Sequence, residues 1–399
     1  MLVFEYKLKG TEGQYRILDE VLRTALFVRN SCIRYWMDNP GKNKYDLNNY
    51  CKVLAKEYSW AKKLNSMARQ ASAERAWSAI ARFYENCKAK KSGKKGFPKF
   101  RKLLNHASAE YKTCGWKISE DRREITFTDG FGAGTFRMWG TRDLHYYQLT
   151  QIKRIRVVRR ADGYYVQICL DVKRIEKREP TGRTLGLDVG LLHFYTDSTG
   201  KTVDNPRYLR KSEKALKRLN RRLSRTNKGS KNKAKARNRL GRKHLKVSRR
   251  RKDFAVKLAR CVIQSADVVV YEDLQVKNMV KNKKLSKSIL DASWTIFLGW
   301  LEYFGKVFGV ITVPVPPMYT SQKCSSCGDI VKKSLSTRTH RCHNCGMALD
   351  RDHNAALNIL EIGLRTAGQA GTLNASEDIV LCVGEKTPQH KTSRGKRKL

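Results

Sequence analysis

The chain has 399 residues and carries 83 lysines and arginines against 36 aspartates and glutamates, a formal net charge of +47. Such an excess favours a polyanionic partner, above all nucleic acid, and 40% hydrophobic residues exclude a wholly disordered basic protein. The length suggests two or three domains. No apolar run of 18 residues and no secretion signal occurs, so we expect an intracellular protein. Because the charge is spread along the chain, a membrane surface is a poor partner.

The N-terminal half predicts one strand, a helical module and a small β-domain. The first ten residues alternate apolar and polar side chains, which is typical of a strand. From residue 12 to 88 apolar residues recur at helical spacing, which predicts at least three helices. After the basic loop 88–102, short runs such as EITFTDG and YYVQICLDV predict a small barrel or sandwich that includes the first strand. We expect Trp116, Trp139 and Tyr164 to lie in its core rather than to stack on bases.

Three short strands, TLGLDVG, HFYTDSTG and KTVDN, begin at residue 184. Residues 207–260 then contain 24 lysines and arginines but two acids, at a helical leucine spacing that TNKGS interrupts. A helix face that is merely solvated usually mixes charges of both signs, so this segment favours a nucleic-acid-facing surface. DVVVYEDL follows, a continuous β-branched run that predicts a strand buried on both faces.

The last elements are predicted as an amphipathic helix over 290–307, a strand over 310–315 and a closing helix over 353–363. The remainder of the chain, from about residue 374, has no hydrophobic periodicity. We therefore expect the tail to be disordered or weakly attached.

Four of the eleven cysteines form two CxxC pairs separated by fourteen residues, and each pair is followed by glycine. Tetrahedral zinc needs four soft ligands, and two facing CxxC loops supply them. A redox pair is the alternative. Four thiolates leave no open position for water, so we expect one structural zinc, with His340 and His343 as bystanders. The predicted zinc ligands are Cys324, Cys327, Cys342 and Cys345.

Three acids occupy positions that suggest a joint site. Asp188 lies inside the strand GLDVG, where an isolated carboxylate is costly, and Glu272 ends the strand VVVYE. Asp352 opens the closing helix and, taken alone, is explained as a helix N-cap. However, parallel strands joined by a helical crossover bring the ends with Asp188 and Glu272 together, at the edge where open α/β sheets place their sites.

Three convergent acids on a basic protein indicate divalent metal. Two Mg²⁺ ions, or Mn²⁺ in their place, roughly 3.5 to 4 Å apart would remove the repulsion between carboxylates, activate a water and stabilise a leaving 3′ oxygen. The sequence therefore predicts a metal-dependent nuclease. It has no GxxxxGK loop, HExxH motif or Ser/His/Asp arrangement, which excludes NTPase, zinc-peptidase and covalent-hydrolase chemistry.

Five motifs, in this order and spacing, carry a family resemblance: GLDVG, VVVYEDLQVKNM, MYTSQKCSSCG, CHNCG and DRDHNAALNIL. They resemble the RuvC-like nuclease core of the TnpB family, transposon-encoded RNA-guided DNA endonucleases related to type V CRISPR effectors. The resemblance covers nearly the whole chain, although residues 1–180 match by layout rather than by signature. It implies α/β plus α and β modules: an RNase H-like (RuvC) domain with an inserted zinc ribbon, preceded by a wedge-type β-barrel that a helical recognition lobe interrupts.

The resemblance also implies domain boundaries and a catalytic trio. The domains are a barrel (1–10 and 112–180), a helical lobe (11–111), a nuclease domain (181–320 and 347–373), a zinc ribbon (321–346) and a basic tail (374–399). Asp188, Glu272 and Asp352 are the implied catalytic, Mg²⁺-binding residues. Asp350 is the alternative to Asp352, and we prefer Asp352 because it directly precedes HNAA.

By the same resemblance, a guide RNA from the element's own transcript pairs with double-stranded DNA beside a short motif that the protein reads. The expected location is the prokaryotic cytoplasm, on the nucleoid when bound, and nothing indicates an oligomeric state. Some of the candidate contact residues lie on one polar helix face, and an ordinary solvent-facing surface explains that face equally well. The candidates are Ser66, Arg69, Gln70, Lys99, Arg101, Lys217, Arg221 and Arg222.

Two other functions stay open at this point. One is a guided DNA-binding repressor with a decayed nuclease site, which requires a lost acid, and none of the three acids is lost. The other is an unguided RNase H-like transposase or resolvase. The RNA that co-purifies with the protein would distinguish them.

Overall fold

The computed structural model describes residues 1–90, 93–101, 108–334 and 337–373, with side chains up to residue 366. The expected disorder of 374–399 concerns residues outside these ranges. The N-terminal elements are β1 (Leu2–Lys9), α1 (Glu12–Asp38), α2 (Lys44–Glu57), α3 (Ser59–Lys62), α4 (Ser66–Lys88), β2 (Ser108–Tyr111), β3 (Trp116–Ile118), β4 (Glu124–Phe127), β5 (Gly134–Trp139), β6 (Ile152–Arg160) and β7 (Gly163–Leu170).

The following elements are β8 (Thr184–Val189), β9 (His193–Asp197), β10 (Thr202–Asp204), α5 (Tyr208–Ser224), α6 (Lys231–Ser265), β11 (Val268–Glu272), α7 (Val276–Met279), α8 (Ser286–Ala292), α9 (Trp294–Phe308), β12 (Ile311–Val315), β13 (Thr339–Arg341), β14 (Ala348–Asp350) and α10 (Arg351–Leu373). The predicted helices and strands are present, but the helix predicted over 290–307 is interrupted at Ser293, whose backbone is left-handed with φ of 60°. None of the helices in the described ranges has the length and apolar character that crossing a membrane requires.

The chain divides into two units with separate hydrophobic cores. The first contains Met1–Glu176 and Tyr208–Arg250, and the second contains Lys177–Arg207 and the described residues from Arg251 onward. The predicted boundaries place all of α5 and α6 in the nuclease domain, whereas α5 and the first part of α6 group with the first unit. Contacts within that unit explain the difference, because Arg249 of α6 forms an ion pair with Asp162 between β6 and β7.

The first unit is built on a seven-stranded antiparallel sheet of order β2-β6-β7-β1-β5-β4-β3. β1 lies at its centre between β7 and β5, which confirms that the N-terminal strand joins the later strands. Its alternate residues Tyr6 and Leu8 are buried with Phe136 and Ile168. β2 also belongs to this sheet, although the predicted helical lobe extends to residue 111. Closure of the sheet into a barrel stays a prediction.

The long helix α1 joins the two cores of this unit. It begins with a capping box, in which the Thr11 hydroxyl accepts the N–H of Gln14 and the Gln14 side chain accepts the N–H of Thr11. Leu18 and Leu22 in its first half pack against the sheet. Ile33 in its second half packs with α2 and α4.

The three aromatic residues predicted for the sheet core differ in their exposure. Tyr164 is buried and stacks on Tyr15, and Trp116 packs at the edge of the core. Trp139 is 53% exposed, so the prediction is wrong for this residue. The cause is strand alternation: Met138 points into the core, and the next residue points to the opposite face.

The second unit is built on a five-stranded sheet of order β10-β9-β8-β11-β12. β8, β9 and β10 are antiparallel, whereas β11 is parallel to β8 and β12, which confirms the predicted parallel pair. The last part of α6 and α9 cover one face around Phe297 and Val269. α10 covers the other face, where Ile359 packs against Val270.

Two glycines allow α10 to lie close to this sheet. A Cβ atom on Gly186 of β8 would be 2.3 Å from the carbonyl oxygen of Ala356, and one on Gly363 of α10 would be 2.3 Å from Cγ1 of Val270. Neither distance is sterically possible. The glycine that precedes Asp188 by two residues is therefore required for helix packing.

We expect Gly186→Ala and Gly363→Ala to lower the unfolding temperature of the protein, because overpacking costs about 1–3 kcal/mol. Gly299→Ala is the control, since Gly299 lies in α9 with nothing within 4 Å of an added Cβ. Because alanine favours the helix more than glycine does, this variant should leave the free energy of unfolding unchanged or raise it by about 0.5–1 kcal/mol. Thermal unfolding followed by circular dichroism measures the three variants, and equal unfolding of Gly186→Ala and wild type would contradict the packing argument.

Candidate active site

Asp188 and Glu272 lie at the same end of two neighbouring parallel strands. Leu187 of β8 is opposite Tyr271 of β11, so the two acids follow at the same level of the sheet. Leu187 and Tyr271 belong to the core on one face, and alternation therefore places both acids on the face that α10 covers. Glu272 is 7% exposed, and Asp188 is half-buried.

Asp352 lies in the first turn of α10 and is 8% exposed. Its Oδ1 accepts hydrogen bonds from Nε and Nη2 of Arg351 at 3.1 and 3.0 Å, and its Oδ2 accepts one from Arg338 at 3.4 Å. Asp350 differs, because its Oδ1 accepts the backbone N–H groups of Asp352 at 2.9 Å and His353 at 3.1 Å. Asp350 is thus the N-cap of α10, which leaves the carboxylate of Asp352 for other contacts.

The electrostatics of the three acids are coupled. Burial raises the pKa of Asp188 well above its ordinary value, and the carboxylates of Glu272 and Asp352 raise it further. Burial also raises the pKa of Glu272, whereas a hydrogen bond from Thr320 lowers it. A divalent cation would offset both the repulsion and the loss of hydration. Carboxylates are the ligands that Mg²⁺ prefers, so the chemistry of this donor set fits the predicted ions. The ligand atoms of the three acids do not all lie within 4.8 Å of one another.

Three polar side chains that the sequence analysis did not single out support this site. The Thr320 hydroxyl donates to Oε1 of Glu272 at 2.6 Å. Asn358 donates to the carbonyl oxygens of Thr320 and Lys323 at 2.8 and 2.7 Å, and Asn354 donates to that of Lys323 at 2.8 Å. The sequence contains one signal that could have identified the two asparagines, the spacing NAALN. Two asparagines on the inner face of an apolar helix need buried hydrogen-bond partners.

The four predicted zinc ligands come together. Their sulfur atoms all lie within 4.8 Å of one another, with 3.6 Å between Cys324 and Cys345 and 3.5 Å between Cys327 and Cys342. Sulfurs around tetrahedral zinc at about 2.3 Å are roughly 3.8 Å apart, so the set fits the predicted ion. In the described ranges no other three or more Cys, His, Asp or Glu side chains bring their ligand atoms as close.

The two cysteine loops have the same backbone turn. The glycine after each pair is left-handed, with φ of +81° and +75°, and its N–H donates to the carbonyl of the pair's first cysteine at 3.0 Å. β13 and β14 pair as an antiparallel hairpin beside the second loop. His340 is buried and His343 is exposed, and neither belongs to the sulfur cluster.

The candidate contacts on α4 differ in accessibility. Ser66 is exposed, whereas Arg69 and Gln70 are half-buried. Nη1 of Arg69 donates to the carbonyl of Ala61 at 3.2 Å, and burial lowers the pKa of Arg69. This arginine therefore helps to fix the turn before α4, and the reading of a DNA motif by this helix stays a prediction.

Lys99 and Arg101 lie on a segment whose backbone is held against α1. The Asn30 side chain accepts the N–H of Arg101 at 3.1 Å and donates to its carbonyl at 2.9 Å. Arg29 donates to the carbonyl of Lys99 at 3.4 Å. Both basic residues are exposed, so the segment presents them to solvent from a fixed backbone.

The candidates on α5 lie on an exposed basic face. Lys217 forms an exposed ion pair with Glu213 at 3.0 Å. A surface depression of 410 Å³ on the same helix contains four guanidinium groups. It is lined by Arg218, Arg221, Arg222, Arg225 and Thr226. Four adjacent guanidinium groups suit a phosphate backbone, and their contact with nucleic acid stays a prediction.

Two family models match separate parts of the chain. Residues 167–283 match the OrfB_IS605 family, described as "Probable transposase", and residues 294–359 match "Cas12f1-like, TNB domain". The first range contains Asp188 and Glu272. The second contains the four clustered cysteines and Asp352.

Similar proteins occur in bacteria and in a virus. A "Putative RNA-guided DNA endonuclease" of Streptomyces pristinaespiralis is 38% identical over 208 residues, or 51% of each chain, so the chain spans about half the length of this relative. "Putative RNA-guided DNA endonuclease InsQ" of Escherichia coli (strain K12) is 29% identical over 326 residues, or 77% of each chain. "TnpB-like protein L79" of Acanthamoeba polyphaga mimivirus is 32% identical over 145 residues, 35% of this chain and 28% of that protein. These matches agree with the resemblance to the TnpB family that the motifs carry.

A solved structure has the same fold as this chain. The protein chain of the "Cryo-EM structure of the Cas12f1-sgRNA-target DNA complex" aligns with a TM-score of 0.54 and 16% identity, over 88% of this chain and 83% of that chain. Identity this low shows a common fold alone. The five-stranded sheet with its covering helices agrees with the RuvC-like fold predicted from the motifs.

We expect Cys324→Ser and Cys345→Ser to destabilise the second unit, because each removes a ligand from a closed four-sulfur site that contributes to folding. The purified protein should contain about one zinc per chain by elemental analysis. Cys261→Ser is a control, since Cys261 is exposed and outside the cluster. Zinc-free protein with wild-type thermal unfolding would contradict the assignment.

A second experiment tests the repulsion among the acids. The pKa of Asp188 is higher in the folded protein than in the unfolded chain, so the folded protein binds the proton more tightly. The free energy of unfolding therefore falls as the pH rises from the unfolded pKa to the folded pKa. Asp188→Asn should therefore raise the unfolding temperature in the absence of Mg²⁺, more at pH 8 than at pH 4. Each kcal/mol of unfolding free energy corresponds to a shift of about 2–4 °C in the unfolding temperature of a unit of this size.

Added Mg²⁺ should stabilise the wild-type protein more than Asp188→Asn, because a ligand that binds only the folded state stabilises it. Asp350→Ala is the matched control, and its expected effect on stability is opposite to that of Asp188→Asn. It removes the cap of α10 and should lower stability by about 0.5–2 kcal/mol. A lower unfolding temperature for Asp188→Asn at pH 8 would refute the repulsion.

Proposed function

We propose that this protein is an RNA-guided DNA endonuclease that pairs a guide RNA with target DNA next to a short flanking motif and hydrolyses phosphodiester bonds. The observation that carries the proposal is the convergence of Asp188, Glu272 and Asp352 at one end of the sheet in the second unit. Three electrostatically coupled acids on a chain with a net charge of +47 fit metal-dependent cleavage of a polyanion. The printed names of the Streptomyces and Escherichia relatives support the guided, DNA-directed part.

Asp188, Glu272 and Asp352 would hold the Mg²⁺ ions. Bound there, the ions would activate a water and stabilise the charge on the leaving 3′ oxygen. Thr320 fixes the orientation of the Glu272 carboxylate through its hydroxyl. Arg338 and Arg351 place positive charge beside Asp352, where a scissile phosphate also needs a counter-charge.

The four-cysteine cluster would hold a structural zinc rather than a catalytic one, because its four sulfurs complete the coordination sphere. The ribbon adjoins the nuclease site on both sides. Its first loop contacts α10 through Asn354 and Asn358. The strand β14, which follows its second loop, ends at Asp350, the cap of α10. Zinc would therefore stabilise the helix that carries Asp352.

The other modules would hold nucleic acid. The basic faces of α5 and α6 suit the phosphates of an A-form heteroduplex, which a protein recognises by shape and backbone while base pairing reads sequence. The seven-stranded sheet would be the wedge-type barrel, with β2 added to the residues predicted for it, and helices α1 to α4 would be the recognition lobe. A guide RNA from the element's own transcript and a double-stranded DNA target are the proposed partners, in the prokaryotic cytoplasm and on the nucleoid when bound.

The three intact acids weigh against a nuclease-inactive repressor, because decay of the site would remove a ligand. An unguided transposase or resolvase would differ from a guided endonuclease in the RNA that it binds, because it would carry no defined guide. Sequencing the RNA that co-purifies with the protein tests this: a defined species supports guiding, and heterogeneous fragments of no fixed sequence refute it.

The decisive prediction separates binding from cutting. Asp188→Ala removes a metal ligand but no contact to the guide, so target binding should change by less than about tenfold, roughly 1.4 kcal/mol, while cleavage falls by several orders of magnitude. Glu272→Ala and Asp352→Ala should behave alike. Cleavage of a plasmid with a guide-matched target in Mg²⁺, beside a gel shift without Mg²⁺, measures both properties.

Asp273→Ala and Asp350→Ala are the neighbouring controls and should retain at least partial activity, because we expect their side chains to lie outside the metal site. Undiminished cleavage by Asp188→Ala protein would overturn the metal assignment. Activity in Asp352→Ala together with its loss in Asp350→Ala would show that the other aspartate is the ligand.

A further inference from the structure

The outer face of the seven-stranded sheet carries an exposed tryptophan in a basic groove. Trp139, at the end of β5, is 53% exposed, and Lys9 of β1 lies over its ring, with Nζ 3.1 Å from the ring centroid. Cations contact the electron-rich face of an indole ring favourably. More than half of the side chain is accessible in spite of this contact, so the indole has a large apolar surface that no described residue covers.

The groove around Trp139 has a volume of 630 Å³, within the range of small-ligand sites. Five basic side chains line it, against two aspartates, Asp121 and Asp143. Both aspartates already accept hydrogen bonds from backbone N–H groups of their own turns. The basic residues are Lys7, Arg122, Arg123, Arg137 and Arg142.

Three of these basic side chains are available for an anion. In the described part of the chain, no carboxylate forms an ion pair with Arg123, Arg137 or Arg142, and all three residues are exposed. Arg137 is two residues from Trp139 on the same strand, so both side chains lie on the same face of the sheet. Guanidinium groups beside an aromatic ring can bind the phosphate and the base of one nucleotide together.

The groove has a fixed backbone. The Tyr6 hydroxyl donates to the carbonyl of Arg142 at 3.0 Å, and a Cβ atom on Gly140 would be 2.5 Å from the Tyr6 ring. The segment that follows Trp139 is therefore packed tightly against β1. A rigid aromatic surface loses little conformational entropy when a ligand stacks on it.

We propose that Trp139 is a stacking platform for one unpaired nucleotide whose flanking phosphates lie on Arg137 and its basic neighbours. A duplex cannot occupy the platform in this way, because its bases are already stacked inside the helix. The ligand is thus a splayed or single-stranded nucleotide. It comes either from a loop of the guide RNA or from the displaced DNA strand. The inference rests on the proposed handling of nucleic acid but not on cleavage.

The test uses full-length protein and two single-stranded probes of one sequence, RNA and DNA, each with a central 5-iodouracil for photo-cross-linking. Mass spectrometry should map the cross-link to the peptide that contains Trp139, and a duplex probe should not give it. An RNA-only cross-link assigns the platform to the guide, and a DNA-only cross-link assigns it to the displaced strand. A cross-link that maps elsewhere with both probes overturns the proposal.

Affinity measurements separate stacking from charge. Trp139→Leu keeps an apolar side chain without a π-face and should lower single-strand affinity by about 5-fold or more, the equivalent of at least about 1 kcal/mol per stacked base, with the salt dependence unchanged. Arg137→Gln should instead reduce the logarithmic salt slope by about 0.7. Trp139→Phe should retain part of the affinity.

Tyr146→Leu is the matched control, because Tyr146 is 85% exposed but does not line the groove. Wild-type affinity in this variant, together with the loss in Trp139→Leu, supports the platform. Equal affinities of Trp139→Leu and wild type overturn it and leave the proposed function intact. A wild-type protein that binds no single strand and co-purifies with no RNA would instead refute the proposed function itself.

Discussion

The close packing of α10 on the five-stranded sheet is the constraint on which the second unit depends. Gly186 and Gly363 remove the two side chains that would hold the helix away from the strands. At this distance the first turn of α10 brings Asp352 into electrostatic contact with Asp188. The same helix buries Asn354 and Asn358, which bind the loop that carries the first cysteine pair. One packing contact thus positions an acid and anchors the loop of the first cysteine pair.

The acids illustrate how a site can oppose stability. Burial and like charge both raise the pKa of Asp188, so the folded protein holds a carboxylate where ionisation is unfavourable. Arg351 and Arg338 offset the negative charge of Asp352 with ion pairs, and the Thr320 hydroxyl offsets the lost hydration of Glu272 with a hydrogen bond. Such compensation is partial, and a divalent cation would complete it. A site that gains stability from the ion it uses is poised to bind that ion.

The positive charge of the chain is used in different ways on different surfaces. On α5, adjacent guanidinium groups form an arginine-lined depression, which suits phosphates alone. On the outer face of the seven-stranded sheet, arginines surround an exposed indole, which suits a phosphate and a base together. The first surface fits recognition of a helical backbone, and the second fits an unpaired nucleotide.

Local patterns were sufficient to predict most elements. Alternation predicted β1, the β-branched run predicted β11, and the CxxC spacing predicted the sulfur cluster, because each signal depends on residues close together in the chain. The same patterns could not distinguish Asp350 from Asp352 by chemistry, since both lie at one helix start. The hydrogen bonds of the folded helix identify Asp350 as its cap, and the role of Asp352 as a site residue stays a prediction.

By itself, the sequence determined the identity of the elements, the four cysteines, the acids on β8 and β11 and the basic character of the whole chain. Tertiary structure alone decided which surfaces those residues share. Thr320 supports Glu272 from a loop 48 residues away, and Trp139 is exposed because the pleat of β5 directs Met138 inward. Contacts across long sequence separations and the facing of a strand within its sheet depend on the packed chain, so no local spacing encodes them.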